Sequence, residues 1–249
     1  MKERARLDHV MVERGLAESR SKAQALILAG QITVGGRPAA KPGQLVLRAA
    51  AVAVQGSPLK YSSRAGLKLE AALDSFRIDV RGKTCLDIGA STGGFTDCLL
   101  RYGAARVYAV DVGTGQLDWK LRQDPRVVVR EGLNARYLEW ETIGEKADLV
   151  TCDVAFISVT LILPALAQFL HLGSEIVVLA KPQFEAGREQ VGKGGIVRDR
   201  EVHEQVIQKV RNAVERLGFR GATVLPSPIT GAEGNQEFLI HGTGLCSAP

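Results

Sequence analysis

Two hydrophobic rhythms run along this chain, one helical and one of short unbroken apolar runs. Leu7, Val10 and Met11 fall at helical spacing, and Gly15 ends that segment. A second helix follows, capped by Ser19 or Ser21, with Ala23, Leu26, Ile27 and Leu28 apolar and Gly30 as its stop. Ile32-Thr33-Val34, the turn Gly35-Gly36 and a return through Leu45-Val46-Leu47 predict a hairpin-like pair, and Val52 to Val54 a further short strand. Gly56-Ser57-Pro58 interrupts the pattern as a linker. A helix capped by Ser63 is then predicted to about Phe76, with Leu67, Ala71, Ala72 and Leu73 on its apolar face and Lys68 at the edge of that face. Apolar runs predict strands at 84–88, 106–110, 127–129, 148–153, 175–180, 220–226 and 235–241, with helices between them, Glu201 to Leu217 the clearest. Such alternation predicts a mostly parallel sheet covered by helices on both faces.

The first of these strands stops at a glycine-rich turn, Gly89-Ala90-Ser91-Thr92-Gly93-Gly94, and a helical pattern runs on from Phe95 to Tyr102. Glycines let backbone approach a ligand, and the helix start presents free N–H groups. The next strand ends in Asp111, 22 residues after Gly89, where a carboxylate can accept both hydroxyls of a ribose. The turn is not a G-x-G-x-x-G dinucleotide fingerprint, and no P-loop lysine follows it. Asp87, at the end of the strand, would repel a pyrophosphate and suits a cationic ligand; S-adenosylmethionine carries a sulfonium and an amine. Gly89-Ala90-Ser91-Thr92-Gly93 also fits the G-x-S-x-G nucleophile elbow, which would need a late histidine, His203 or His241.

Charge separates the chain into unlike parts. Residues 1–60 hold ten Lys/Arg against four Asp/Glu, a net +6; the remaining residues hold 22 against 23, a net −1. A small basic unit on a near-neutral one suggests a nucleic-acid-binding appendage. Arg4, Arg6, Arg20, Lys22 and Lys41 are expected to cluster where the second helix starts and the strands turn, and Arg64 joins them as an RNA-facing cation. The chain is charged from Lys2 onward, unlike a secretory leader, and its most apolar stretch, Val159 to Leu170, is 12 residues, too short to span a bilayer. The four cysteines form no C-x-x-C pair and the four histidines are scattered. A cytoplasmic protein with reduced cysteines, no metal and no membrane partner is expected.

In doubly wound sheets ligands lie beyond the C-terminal ends of the strands. Asp153 and Lys181 fall at two such ends, and Glu237 enters the last strand. Lys181, after five apolar residues, would be partly desolvated and so a proton acceptor, oriented by a nearby carboxylate.

Arg6-Leu7-Asp8, Gly15-Leu16-Ala17, Ser19-Arg20-Ser21-Lys22-Ala23, Leu26-Ile27, Gly30 through Gly36 and Lys41-Pro42 resemble the RNA-binding domain named after ribosomal protein S4. Tyr61 through Leu69, the glycine turn, Asp111 through Leu117, Asp153 through Ser158, Lys181-Pro182-Gln183-Phe184-Glu185, Val191 through Asp199 and Gly234 through Phe238 resemble the TlyA family, often labelled hemolysin A and similar to FtsJ-type ribose methyltransferases. The chain departs from the family at Arg64-Ala65-Gly66 and at Val154-Ala155, neither of which removes a polar residue of the site.

The resemblance implies an α/β, Rossmann-like class I methyltransferase fold with a seven-stranded, mostly parallel sheet and a small N-terminal α+β RNA-binding domain. The implied layout is an S4-like domain at 1–58, a linker at 59–63 and an FtsJ-like domain at 64–245. It implies S-adenosylmethionine-dependent 2′-O-methylation of cytidine in ribosomal RNA, with ribosomal subunits as partners. Lys68, Asp153, Lys181 and Glu237 would form the catalytic tetrad. The cofactor would be held by Asp87, Gly89, Ala90, Ser91, Thr92, Gly93, Gly94, Phe95, Asp111, Val112, Asn134 and Asp153, with Asp111 on its ribose and the region of Asn134 on its adenine. Val191 to Asp199, rich in glycine, reads as a mobile lid. A non-catalytic RNA binder with a cofactor pocket and a pore-former are the competing readings; the charged N-terminus and the lack of a long apolar span argue against the second.

Overall fold

The structure, a computed structural model, describes residues 4–28, 31–39, 41–54, 60–231 and 234–245. The expected helix stop at Gly30, the linker at Gly56-Ser57-Pro58 with Leu59, and Cys246 lie outside the described residues. Contacts divide the chain into two units, 1–59 and 60–249.

In the small unit, β1 (Arg4–Arg6) leads into α1 (Leu7–Glu13), followed by α2 (Arg20–Leu28), β2 (Ile32–Val34), β3 (Arg37–Pro38), β4 (Leu45–Leu47) and β5 (Val52–Val54). Leu7, Val10 and Met11 of α1 meet Ala23 and Ile27 of α2 over Ile32 and Val46, the apolar stripe that helical spacing marks out. Ser19 is the cap of α2: its hydroxyl accepts the Lys22 N–H at 3.2 Å. The hairpin differs from the expected one. Gly35 and Gly36 both take positive φ (59° and 76°), which makes a two-residue turn that must close on the next residues. The return is therefore β3, with Val34 opposite Arg37, while β5 covers the other edge of β2. Leu45–Leu47 pairs instead with β1, antiparallel.

In the large unit, α3 (Ala65–Phe76) precedes β6 (Thr84–Ile88), α4 (Gly94–Arg101), β7 (Arg106–Asp111), α5 (Trp119–Gln123), β8 (Val127–Glu131), α6 (Trp140–Ile143), β9 (Leu149–Cys152), α7 (Leu163–Leu166), β10 (Glu175–Ala180), α8 (Pro182–Glu185), α9 (Arg200–Arg216), β11 (Arg220–Pro226) and β12 (Phe238–Thr243). Among the described residues seven strands form one sheet in the order β11-β12-β10-β9-β6-β7-β8, parallel except for β12, which runs against both its neighbours. Side-chain alternation sends Leu86, Ile88, Ile176 and Val178 into the layer containing α7 and α9, and Cys85, Val177 and Leu179 into the layer with α3 and α4. Both faces of the central strands are buried, so β9 and β10 are mostly apolar runs, and the polar Asp87 of β6 and Thr151 of β9 are hydrogen-bonded to each other.

Two boundaries differ from expectation. Residues 60–63 belong to the large unit rather than to a linker: Tyr61 is buried in its core, so close to Gly66 that a β-carbon there would lie 2.3 Å from the ring. The last strand begins at Phe238, because Asn235 is buried and spends its side chain on the loop before α9. Cys85, Cys98 and Cys152 are free and buried, and burial pushes the Cys85 and Cys98 thiols up to about 12, leaving them unreactive. No helix among the described residues is long and apolar enough to cross a membrane.

Candidate active site

The strand order reverses between β6 and β9, and that is where a crevice opens beyond the strand ends. Gly89 leaves β6 with φ +84°, and its N–H, like that of Ala90, donates to the Val110 carbonyl. A β-carbon on Gly89 would sit 2.3 Å from the Asp153 carbonyl oxygen, so the turn can lie against β9 only with glycine there. Ser91 takes φ +48°, a strained position for a non-glycine residue, and its N–H donates to Asp111 at 2.7 Å. Gly93 caps α4.

Asp111, at the end of β7, also accepts the Gly113 N–H at 2.7 Å. These two bonds use one lone pair on each oxygen, and a carboxylate has about four acceptor sites, so acceptors remain for a diol. Asp111 faces a cavity of about 510 Å³, which Gly89, Val112 and Asn134 line with the apolar Ile88, Leu133 and Ile162. A second cavity of about 190 Å³ is lined by Ala90, Thr92, Gly94, Phe95 and Lys181, with Ser63 and Ala65 from the start of α3. Gly89, Ser91, Asp153 and Ala155 line both. Of the expected ligand residues, Gly93 lines neither.

Asp87 is a correction. Its side chain points under the turn, fully buried, where Thr96 Oγ1 (2.7 Å) and Thr151 Oγ1 (2.9 Å) donate to its two oxygens. It lines neither cavity, because alternation on β6 sends it to the α4 side while Ile88 faces the other layer. Burial raises the carboxyl from 3.8 to about 6 against the pull of the two threonine hydroxyls.

The four residues expected to form the tetrad lie as two lysine–carboxylate pairs. Lys181 Nζ lies 2.5 Å from Asp153 Oδ1, each side chain 13% exposed. Lys68 Nζ, from α3, donates to Glu237 Oε2 at 2.5 Å, and both residues are buried. Ala180 stands opposite Phe238 in the ladder, which brings Lys181 and Glu237 to the same end of the β10–β12 pair. Both pairs therefore border one end of the sheet, and Lys181 and Asp153 face the smaller cavity.

Among the described residues Ser91 has neither histidine nor acid placed as a serine nucleophile needs. The Ser91 hydroxyl approaches Gln116 at 3.5 Å, while His203 Nε2 lies 3.0 Å from the Val197 carbonyl oxygen and His241 Nε2 lies 2.8 Å from Glu175. The elbow reading is overturned by this placement. The expected lid is pinned: Asn235 accepts the Val197 N–H (2.9 Å) and donates to the Gly195 carbonyl (2.9 Å).

In the small unit Asp8, fully buried, accepts from Arg6 Nε (3.0 Å), Arg20 Nε (3.0 Å) and Gln24 (2.8 Å). The Arg6 guanidinium holds this carboxyl well below the usual carboxylate range. Arg6 also lies beside Gly43 in the turn that Lys41 opens. Arg6 and Arg20 are thus brought together next to the Lys41 turn; Arg4 and Lys22 are exposed on β1 and α2, and Arg64 is exposed at the start of α3 in the other unit. Sequence reasoning did not single out Asp8 as the organiser of these arginines, nor Thr96 or Thr151, and it placed Ser63 only as a helix cap; of the first three, Asp8 alone had a signal, an acid amid a basic segment.

Sheet order, reversed last strand and a crevice at the switch point define a Rossmann-like methyltransferase. The model of the FtsJ-like methyltransferase family matches residues 61–243, and that of the S4 domain matches residues 5–52. YqxC of Bacillus subtilis, named provisionally as an rRNA methyltransferase, is 51% identical over 237 residues, 95% of this chain and 84% of the relative. The 16S/23S rRNA (cytidine-2′-O)-methyltransferase TlyA of Mycobacterium tuberculosis is 47% identical over 241 residues, 96% of this chain and 90% of the relative. A solved structure from Streptococcus thermophilus, described as a candidate hemolysin, superposes with a TM-score of 0.75 at 45% identity, covering 99% of this chain and 90% of that one. The chain belongs to the FtsJ-like methyltransferases, in the TlyA or hemolysin A-like family that carries an S4 domain.

Proposed function

We propose that this protein transfers a methyl group from S-adenosylmethionine to the ribose 2′-hydroxyl of a cytidine in ribosomal RNA, in the cytoplasm where ribosomal subunits assemble. The observation that carries the reading is the pairing of Lys181 with Asp153 in the wall of a cavity that shares Gly89 and Asp153 with its neighbour, with the buried Lys68–Glu237 pair at the same end of the sheet. The relatives named as cytidine-2′-O-methyltransferases support the choice of substrate.

The residues present fit the cofactor. Asp111 keeps acceptors for a ribose diol, Val112, Leu133 and Ile162 offer apolar walls to an adenine beside Asn134, and the turn from Gly89 to Gly94 leaves room for backbone contact. S-adenosylmethionine supplies a methyl group already activated by its sulfonium. What remains for the protein is alignment, which can contribute about 7–11 kcal/mol. Lys181 takes the hydroxyl proton or stabilises the developing alkoxide, with Asp153 fixing its direction. Lys68, held by Glu237, orients the ribose or its phosphate. Arg4, Arg6, Arg20, Lys22 and Lys41, with Arg64, hold RNA phosphates.

The test is incubation with methyl-labelled S-adenosylmethionine and undermethylated small and large subunits separately, followed by mapping of 2′-O-methylated positions. Label on a cytidine ribose is expected, lost in Lys181→Ala while that variant still binds the cofactor. Cofactor binding without label in the wild-type protein would replace this reading with a non-catalytic RNA binder.

A further inference from the structure

The loop after β9 is tied down at a point that neither the cofactor site nor the tetrad explains. Glu185, the last residue of α8, is buried. Its Oε2 accepts the Ser158 hydroxyl at 2.5 Å, and Lys209 Nζ from α9 lies 3.0 Å from the same oxygen. Its Oε1 accepts the Val159 N–H at 2.6 Å, and Lys209 also donates to the Glu185 carbonyl at 2.7 Å. A buried carboxylate is expensive unless satisfied in this way, and here the partners come from a segment 26 residues distant in sequence.

The tie closes a frame around the catalytic pair. β9 and β10 are laddered up to Cys152 opposite Val178. Beyond the ladder Asp153 and Lys181 pair, and the two chains then diverge, one as residues 154–158 and the other as α8. Glu185 joins them again at Ser158 and Val159. The loop between is thus held at both ends. At its apex Phe156 is 91% exposed with φ +65°, a conformation that a phenylalanine keeps only when its surroundings impose it. The Phe184 ring of α8 lies 5.4 Å from that of Phe156.

We propose that Glu185 is a positioning residue for methyl transfer: by holding Ser158 and Val159 it keeps the 154–158 loop taut, so that Asp153 stays on Lys181 and Ala155 stays in the cavity wall. The proposal rests on the methyl-transfer reading above. Misplacing reacting groups by about 1 Å costs about 10²-fold in rate, and loss of the tie acts in that way.

The experiment compares wild type with Glu185→Ala, Glu185→Gln and Ser158→Ala in the full chain. It reads kcat, the KM and Kd for S-adenosylmethionine, and amide hydrogen exchange at 154–159. Glu185→Ala is expected to lower kcat about 10²-fold and to speed exchange at 154–159, with cofactor Kd changed less than about twofold. Glu185→Gln, whose amide oxygen still accepts the Val159 N–H, is expected to restore most of kcat. A kcat within about threefold of wild type in Glu185→Ala, or a loss that falls equally on cofactor affinity with exchange unaltered, overturns the proposal. Should Glu185→Ala fail to fold, Ser158→Ala decides: exchange at 154–159 equal to wild type overturns it. Wild-type protein that transfers no methyl group removes the functional reading alone, because the exchange comparison still reports on the tie.

Discussion

Asp87 gives the sharpest thermodynamic test, because one substitution should move stability and ligand binding in opposite directions. Its carboxyl is fully buried and raised from 3.8 to about 6, first by desolvation and against the hydroxyls of Thr96 and Thr151. The folded state therefore binds the proton more tightly than the unfolded chain. The associated stability is complete below about pH 4 and is lost as pH rises through about 6. At 1.36 kcal/mol per pH unit the difference amounts to about 3 kcal/mol held against the fold at neutral pH. Asp87→Asn abolishes that titration. Urea unfolding of both proteins from pH 4 to pH 7.5 should show the variant gaining about 2–3 kcal/mol on the wild type across the range. A gain of less than about 1 kcal/mol, the equivalent of under one pH unit, would refute the reasoning. Thr151→Val should push the titration higher still, since it removes a bond to the charged form. At neutral pH the wild-type carboxylate is mostly ionised beneath the turn from Gly89 to Gly93, where a low dielectric lets it favour a cationic ligand without touching it. Asp87→Asn is accordingly expected to weaken S-adenosylmethionine binding while stabilising the fold, and calorimetric titration with the cofactor at pH 7.5 checks the loss of binding.

Gly89→Ala should cost about 1–3 kcal/mol from backbone strain alone and abolish cofactor binding, since its β-carbon meets the Asp153 carbonyl at 2.3 Å; thermal melting and calorimetry read both effects. Arg6→Ala and Arg20→Ala should each weaken RNA binding and lower the salt dependence by about one released counterion, measured by filter binding from low to moderate salt. Asp8→Asn should flatten the acid end of the stability profile, because a carboxyl held below the usual range contributes stability above the unfolded pKa that is lost as pH falls through the folded one; unfolding below pH 4 checks this. Purified protein should release no dye from lipid vesicles, and release would favour the pore-forming reading over the ribose methyltransferase.

How much of this molecule could be read from the residues depends on where the deciding physics acts. The large sheet was legible because a parallel strand covered on both faces is mostly apolar, and Thr84–Ile88 or Glu175–Ala180 admit few other assignments. The small sheet was not: Leu45-Val46-Leu47 has the composition of a hairpin return, and only the positive φ at both Gly35 and Gly36 forces the chain back at Arg37 and frees β4 for β1. Site residues divide in the same way. Asp153 and Lys181 announce themselves as polar residues ending apolar runs, but which carboxylate takes which lysine depends on strand order, and order is a long-range property that no local window contains. Asp87 shows the converse hazard, since the position was legible and the role was not. An acid at the end of the first strand reads as a ligand until the alternation of β6 is laid on the sheet and turns it toward Thr96. Residues that act through others, Asp8 on two arginines and Glu185 on Ser158 and Val159, left the faintest traces, because their partners are set by tertiary contact alone. A lysine ending an apolar strand can thus be found by inspection, whereas the residues that hold it in working position have to be sought in the contacts around it.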